Sequence, residues 1–155
     1  MELDSVDRRI LAELARDHRA TVVALADRLS LSRNTVQVRL ARLETDGAIL
    51  RFERAINPAA LGFTLEAFIS VHVQQKVLNR VVADLAEIPE VVSAHGLSGQ
   101  FDLMVHVVSR DTRDLLRIDG LILAIDGVDR TETSLSMGEL IPHRMQQLLG
   151  AAPRR

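Results

Sequence analysis

A chain of 155 residues accommodates one large domain or two small ones, and each small half would sit near the lower limit for a self-sufficient core, so self-association is expected. Hydrophobic residues make up 47% of it, with no Trp or Tyr and four Phe, which requires an aliphatic core; the absence of cysteine excludes disulfides, thiolate zinc sites and thiol nucleophiles. A net charge of −2 gives no whole-chain support for a nucleic-acid partner, and the opening MELDSVDRRI lacks a basic stretch followed by an apolar run, so a cytoplasmic location without a membrane partner is expected.

The first element is a helix capped by Asp4, with Val6, Ile10, Leu11 and Leu14 on one face, running to about residue 16. Thr21 caps a shorter helix that buries Val22, Leu25, Ala26 and Leu29. After only Ser30, Leu31 and Ser32, a third helix begins, with Ser32 as its cap and Val36, Leu40 and Leu43 as its inner stripe, and Asp46-Gly47 ends it. Two helices joined by so short a turn form a helix-turn-helix pattern. An ordinary αα-hairpin shares this spacing, but the polar outer face of the third helix carries residue types that read DNA. At Ser30, where such turns favour glycine, the backbone has to tolerate a less comfortable angle.

With the stripe turned inward, a step of about 100° per residue puts Asn34, Thr35, Val38, Ala41 and Arg42 outside, with Arg33 and Gln37 on the flank. Asn and Gln pair bidentately with adenine and Arg with guanine, while Val methyls lie against thymine methyls. Recognition helices present their N-terminal residues to base edges, so Arg33, Asn34 and Gln37 are the expected base readers. Thr35, Arg39 and Arg42 are the expected phosphate contacts, and Ser32 and Val38 complete the face. A solvated helix face is the plainer reading of each arginine. Between residues 33 and 54 five arginines stand against three acids, enough for a local contact face with double-stranded DNA.

Past Gly47 the period changes to two. Residues 49–54 read as a short strand and Asn57-Pro58 through Gly62 as a turn-rich linker. Then follow a half-buried strand over Leu65–Val73, a helix through Val77, Val81, Leu85 and Ile88 ended by Pro89, and a strand over Val91–Leu97. A loop leads to a strand over Phe101–Val108, a helix capped by Asp111 carrying Leu115, Ile118, Ile122 and Ile125, and a last strand from Val128 to about Met137. Gly120 lies inside that last helix, where close packing is the expected reason for it. The order βαββαβ is that of a ferredoxin-like sandwich. The fold class is therefore α+β: a helix-turn-helix domain of winged-helix-like type over 1–48, a strand and linker over 49–63, and a ferredoxin-like assembly and effector-binding domain over 64–150.

Several motifs together carry a family resemblance. Leu3-Asp4-x-x-Asp7-x-x-Ile10-Leu11, Leu25-Ala26 with Leu31-Ser32, and Arg39-Leu40-x-Arg42-Leu43-Glu44 before Gly47 resemble the Lrp/AsnC, or feast/famine, regulators. Asn57-Pro58-x-x-Leu61-Gly62 is similar to that family's interdomain link, and Gly99-x-x-Asp102 and Thr131-x-Thr133 resemble two signatures of its amino-acid-binding domain. The resemblance implies a transcription regulator that forms homodimers, often tetramers or octamers, and binds an amino-acid effector between dimers, with no other cofactor. It implies an effector site of Ser98, Gly99, Gln100 and Asp102 with Thr131, Thr133 and Ser134. Glycine exposes backbone N–H groups to a carboxylate, and Asp102 can accept from an ammonium group. The family loop usually reads Gly-Asp-Tyr-Asp, whereas here Gly99-Gln100-Phe101-Asp102 lacks one acid and one hydroxyl. Either the ligand departs from a common amino acid or the site is unused, and a tight hairpin with an aspartate bonded to its own turn explains Gly99 and Asp102 equally well.

His72, His95 and His106 fall on or beside strands, and His72 and His106 are placed to meet across the sheet, but no HxxH or HExxH spacing supports a metal. Neither a Gly-rich phosphate loop nor a GxSxG motif is present. The chain is accordingly expected not to be an enzyme. Two alternatives remain open: an enzyme resembling the sirohaem decarboxylases, which share this architecture, and an architectural DNA-binding protein without an effector.

Overall fold

The computed structural model describes residues 3–49 and 56–149, and among them the chain divides into two compact units. The first is helical: α1 (Ser5–Arg16), α2 (Val22–Leu29) and α3 (Arg33–Thr45) pack around Ile10, Leu25, Ala26, Leu29, Val36 and Leu43. A last short helix, α6 (Gln146–Leu149), lies against α1 and belongs with this unit. The sequence patterns had grouped it with the sheet. The strand expected over residues 49–54 falls, beyond Ile49, outside the described residues.

Each of the first three helices starts on a side-chain cap. Asp4 accepts the Asp7 N–H at 2.8 Å while Asp7 accepts the Asp4 N–H at 3.1 Å, a reciprocal capping box. Thr21 accepts the Ala24 N–H at 3.2 Å, and Ser32 accepts the Thr35 N–H at 3.0 Å. The turn from α2 to α3 closes where the Leu31 N–H donates to the Ala26 carbonyl at 2.9 Å. That closure places Ser30 in the left-handed region, at φ 54°, the strained position foreseen from the missing glycine.

Asp7 does more than cap. Its side chain is fully buried, and it accepts from the Arg39 guanidinium at 2.9 Å and from that of Arg42, both reaching across from α3. Arg39 also pairs with Asp4 at 2.5 Å. Two carboxylates at the start of α1 thus clamp two guanidiniums on the second half of α3. A buried carboxylate without such partners would cost several kcal/mol. The Arg39 guanidinium, and after it the Asp7 N–H, hold the Asp4 carboxyl down at about 2.

In the second unit, β1 (Leu65–Val73), β2 (Val91–Gly96), β3 (Leu103–Ser109) and β4 (Val128–Leu135) form one antiparallel sheet in the order β2-β3-β1-β4. With α4 (Leu78–Ala86) and α5 (Thr112–Leu123), this is the α+β sandwich that the element order predicted. One sheet face carries Ala67, Ile69, Val71, Leu103, Val105 and Val107, packed against Val81, Leu85, Leu115, Ile118 and Ile122 of the helices. Because side chains alternate along a strand, Phe68, Ser70, His72, Met104 and His106 take the other face. Gly127 makes the turn into β4 at φ +100°, where an added Cβ would come within 2.3 Å of a Val77 methyl. Gly120, by contrast, has no neighbour among the described residues within 4 Å of where a Cβ would stand, so close packing against them is not its reason.

Two outcomes are expected. Ser30→Gly relieves the left-handed strain and raises stability by about 0.5–1 kcal/mol, read as a higher melting midpoint by circular dichroism; a lower midpoint would mean that serine is favoured there. Because the folded Asp4 carboxyl lies below the ordinary 3.8, the stability it contributes is present above that pH and is lost as pH falls through about 2. An NMR titration of the Asp4 carboxyl carbon with its midpoint at 3.8 would contradict the clamp.

Candidate nucleic-acid interface and effector site

Along the N-terminal half of α3, polar side chains gather on the outer face. Ser32 is occupied as the cap, and its Oγ lies 2.8 Å from the Thr35 hydroxyl, so both belong to the start of the helix. Arg33, Asn34 and Gln37 are exposed, and among the described residues none has a hydrogen bond or ion pair from its side chain. Val38 is 61% exposed, high for a valine, and presents its methyls beside them. Arg39 and Arg42, expected at phosphates, are instead engaged with Asp4 and Asp7. The polar stripe therefore divides into an outward, unengaged N-terminal half and a second half tied back to α1.

The sequence shows the spacing within each charged pair but not the pairing between them. Asp4 and Asp7 are spaced i, i+3, as are Arg39 and Arg42, so each pair occupies one helix face. Read as surface charge, the arginines gave no hint that Asp7 would be buried. Only the packing of α1 against α3 makes them partners.

In the second unit, Ser98, Gly99 and Gln100 are exposed at the tip of the β2–β3 loop. The loop is closed by the Leu97 N–H on the Asp102 carbonyl at 2.8 Å and by the Asp102 N–H on the Val71 carbonyl at 3.0 Å. The Asp102 carboxylate accepts the Val73 N–H at 2.8 Å, lies 2.6 Å from His72 Nδ1, and accepts from the Gln75 amide. These partners, the Val73 N–H first, hold its pKa below the ordinary carboxylate value. Asp102 thus ties its loop to the end of β1 rather than to its own turn. Beside it, the Arg130 guanidinium of β4 lies 4.9 Å from the centre of the Phe101 ring, a cation–π contact that the sequence did not reveal.

The β4 residues divide by pleat. Thr131 stands opposite Val71 and Thr133 opposite Ile69, on the helix side of the sheet, and the Thr133 hydroxyl donates to Asp119 at 2.8 Å. Ser134 stands opposite Phe68, on the other face. Within one chain the proposed effector residues therefore do not converge on a single surface. His72 and His106 share the sheet face turned away from the helices but have separate partners: His72 is held by Asp102, while His106 stacks on Phe68 with centroids 4.8 Å apart and lies 3.2 Å from Glu66. Among the described residues no group of His, Asp and Glu has the arrangement to hold a metal ion, and no helix is long and apolar enough to cross a membrane.

Comparison with known proteins fits both halves of this description. Residues 3–44 match the AsnC-type helix-turn-helix domain and residues 66–146 the Lrp/AsnC ligand binding domain. The HTH-type transcriptional regulator AldR of Mycolicibacterium smegmatis is 36% identical, over 98% of this chain and 86% of its own length. A regulator of the same type from Pyrococcus horikoshii is 35% identical, over 87% of this chain and 86% of its own. Among solved structures, E. coli AsnC superposes with a TM-score of 0.83 at 25% identity, covering 94% of this chain and 99% of that one. A Neisseria meningitidis transcriptional regulator in complex with L-Met does so with a TM-score of 0.81 at 26% identity, covering 91% and 94%. With both domain models in their places and relatives aligned over nearly its full length, this chain belongs to the Lrp/AsnC family of helix-turn-helix transcriptional regulators.

Proposed function

We propose that this chain reads a specific DNA sequence with the N-terminal half of α3, and that an amino acid bound to its second unit changes its DNA binding or assembly. The observation that carries the DNA reading is the set of outward side chains, Arg33, Asn34 and Gln37, which have no partner among the described residues, with Val38 exposed beside them. These supply donors and acceptors for base edges and methyls for thymine contact. Phosphate contact falls to Arg33 and to the backbone and hydroxyls at the start of α3, around Ser32 and Thr35. A homodimer would present two such helices to successive major grooves, favouring a pseudo-palindrome with half-sites about one turn apart. Phe68, Val92 and Leu135, all exposed on the sheet, support self-association through this unit, and higher assembly to tetramers or octamers would multiply the sites bound.

For the effector, the exposed amides of Ser98, Gly99 and Gln100 would receive a carboxylate. Asp102 already accepts from three partners, so its part is to seat the loop; Thr131, Thr133 and Ser134 remain as side-chain contacts contributed from either face of β4. The relative solved with L-Met supports an amino acid as the class of effector.

The test is fluorescence anisotropy on the duplex just upstream of the protein's own gene, against random duplex at fixed salt, with and without an amino-acid pool. Gln37→Ala is expected to reduce the preference for the specific duplex by about ten-fold while leaving random-duplex affinity within about two-fold, because a neutral base reader carries specificity and little else. Equal loss on both duplexes would remove Gln37 from the base-reading set. Asp102→Ala is expected to abolish the response to the pool and to preserve DNA affinity; an undiminished response would place the effector elsewhere.

A further inference from the structure

The clamp between α1 and α3 bears on how strongly this helix-turn-helix holds DNA. The inference rests on the DNA-reading role proposed for α3. Arg39 and Arg42 lie on the same helix as the base-reading residues, where phosphate contacts are expected, yet both guanidiniums are taken up by carboxylates. Two positive and two negative charges in contact form a cluster of zero net charge. The local excess that the sequence offered to DNA is thereby largely cancelled on the second half of α3.

The two carboxylates are not equivalent. Asp7 is fully buried and receives the Asp4 N–H as well as both arginines, so its charge is built into the packing of α1 on α3. Asp4 is 47% exposed, and its pairing with Arg39 adds a second carboxylate to a guanidinium that Asp7 already neutralises at 2.9 Å. As a helix cap it is replaceable, because asparagine caps as well as aspartate. Its negative charge therefore has a role that its capping geometry does not require.

We propose that Asp4 is a specificity-determining residue that acts by subtraction: it occupies Arg39 in the place of a DNA phosphate. Sequence-independent affinity is thereby kept low, and discrimination is left to Arg33, Asn34 and Gln37. Each phosphate neutralised by a cation steepens the dependence of log affinity on log salt by about 0.9. A carboxylate that competes with phosphate for the same guanidinium removes that increment on every sequence alike. The ratio of specific to random binding rises as a result, since base contacts are untouched.

The experiment uses the full chain and a random-sequence duplex, with anisotropy titrations at several salt concentrations. Asp4→Asn keeps the cap and removes the charge. It is expected to bind the random duplex several-fold more tightly at low salt and to lose about three- to four-fold more affinity than the unaltered chain between 50 and 200 mM salt, the increment of one added phosphate contact per protomer. Arg39→Gln is expected to cancel that gain in the Asp4→Asn background while leaving the slope of the unaltered chain in place. A purely structural role for Asp4 would shift the melting midpoint without moving the salt slope, and that result would overturn the proposal. So would a shallower slope from Arg39→Gln alone, since Arg39 would then already be on a phosphate. Absence of any salt-dependent duplex binding by the unaltered chain would overturn the DNA-reading role, and this proposal with it.

Discussion

The helical unit depends on the burial of one carboxylate. Its aliphatic core is small: among the described residues Ile10, Leu25, Ala26, Leu29, Val36 and Leu43 are its buried apolar side chains, and none is aromatic. Aliphatic contacts are non-directional and leave the rotation of a short helix weakly specified. Asp7 adds direction. A buried carboxylate must find donors, and those available are the Asp4 N–H, Arg39 and Arg42, so α3 has to present the face that carries both arginines toward α1. Once that face is fixed, the helical step of about 100° turns Arg33, Asn34 and Gln37 outward. The face of α3 proposed to read DNA is in this sense the complement of its clamped face.

The same residues mark the limits of what the sequence discloses. Caps at Asp4, Thr21, Ser32 and Asp111 were legible because each is a local rule, a polar side chain meeting an N–H two or three residues on. The strands of the second unit were legible by alternation, and the observed burial along β1 follows it residue by residue. The strain at Ser30 was legible because one turn position there demands a particular backbone region. The fate of Arg39 and Arg42 was not, since ion pairs that span more than thirty residues depend on a packing angle that no local pattern encodes. For the same reason Asp102 looked like a turn residue or a ligand, and is in fact bonded to the end of β1 across the sheet.

In the second unit, sheet order decides which side chains can act together. Because β1 is central, its apolar residues face the helices, while β4 lies at the edge and contributes little to the core. Along that edge strand the pleat leaves Thr131 and Thr133 on the helix side and Ser134 on the opposite face, so in one copy the proposed effector residues do not share a face. A ligand held by residues from more than one copy would bind only as fast as the assembly allows. Its affinity would be linked reciprocally to the assembly state, with coupling typically of about 1–3 kcal/mol.

That scale can be set against the DNA side. A chain of net charge −2, with two of its α3 arginines neutralised, has little general attraction for a polyanion. Binding by one helical unit would then be weak on any sequence, and strong binding would require two units engaged on one duplex, the second held at the effective concentration set by the first. Under those conditions occupancy depends steeply on assembly. A coupling of a few kcal/mol at the sheet unit, too small to displace a tightly held monomer, suffices to shift a marginal complex between bound and free. On the proposed reading, weak phosphate affinity in the helical unit and ligand-linked assembly in the sheet unit would be parts of one design, because the first is what would make the second effective.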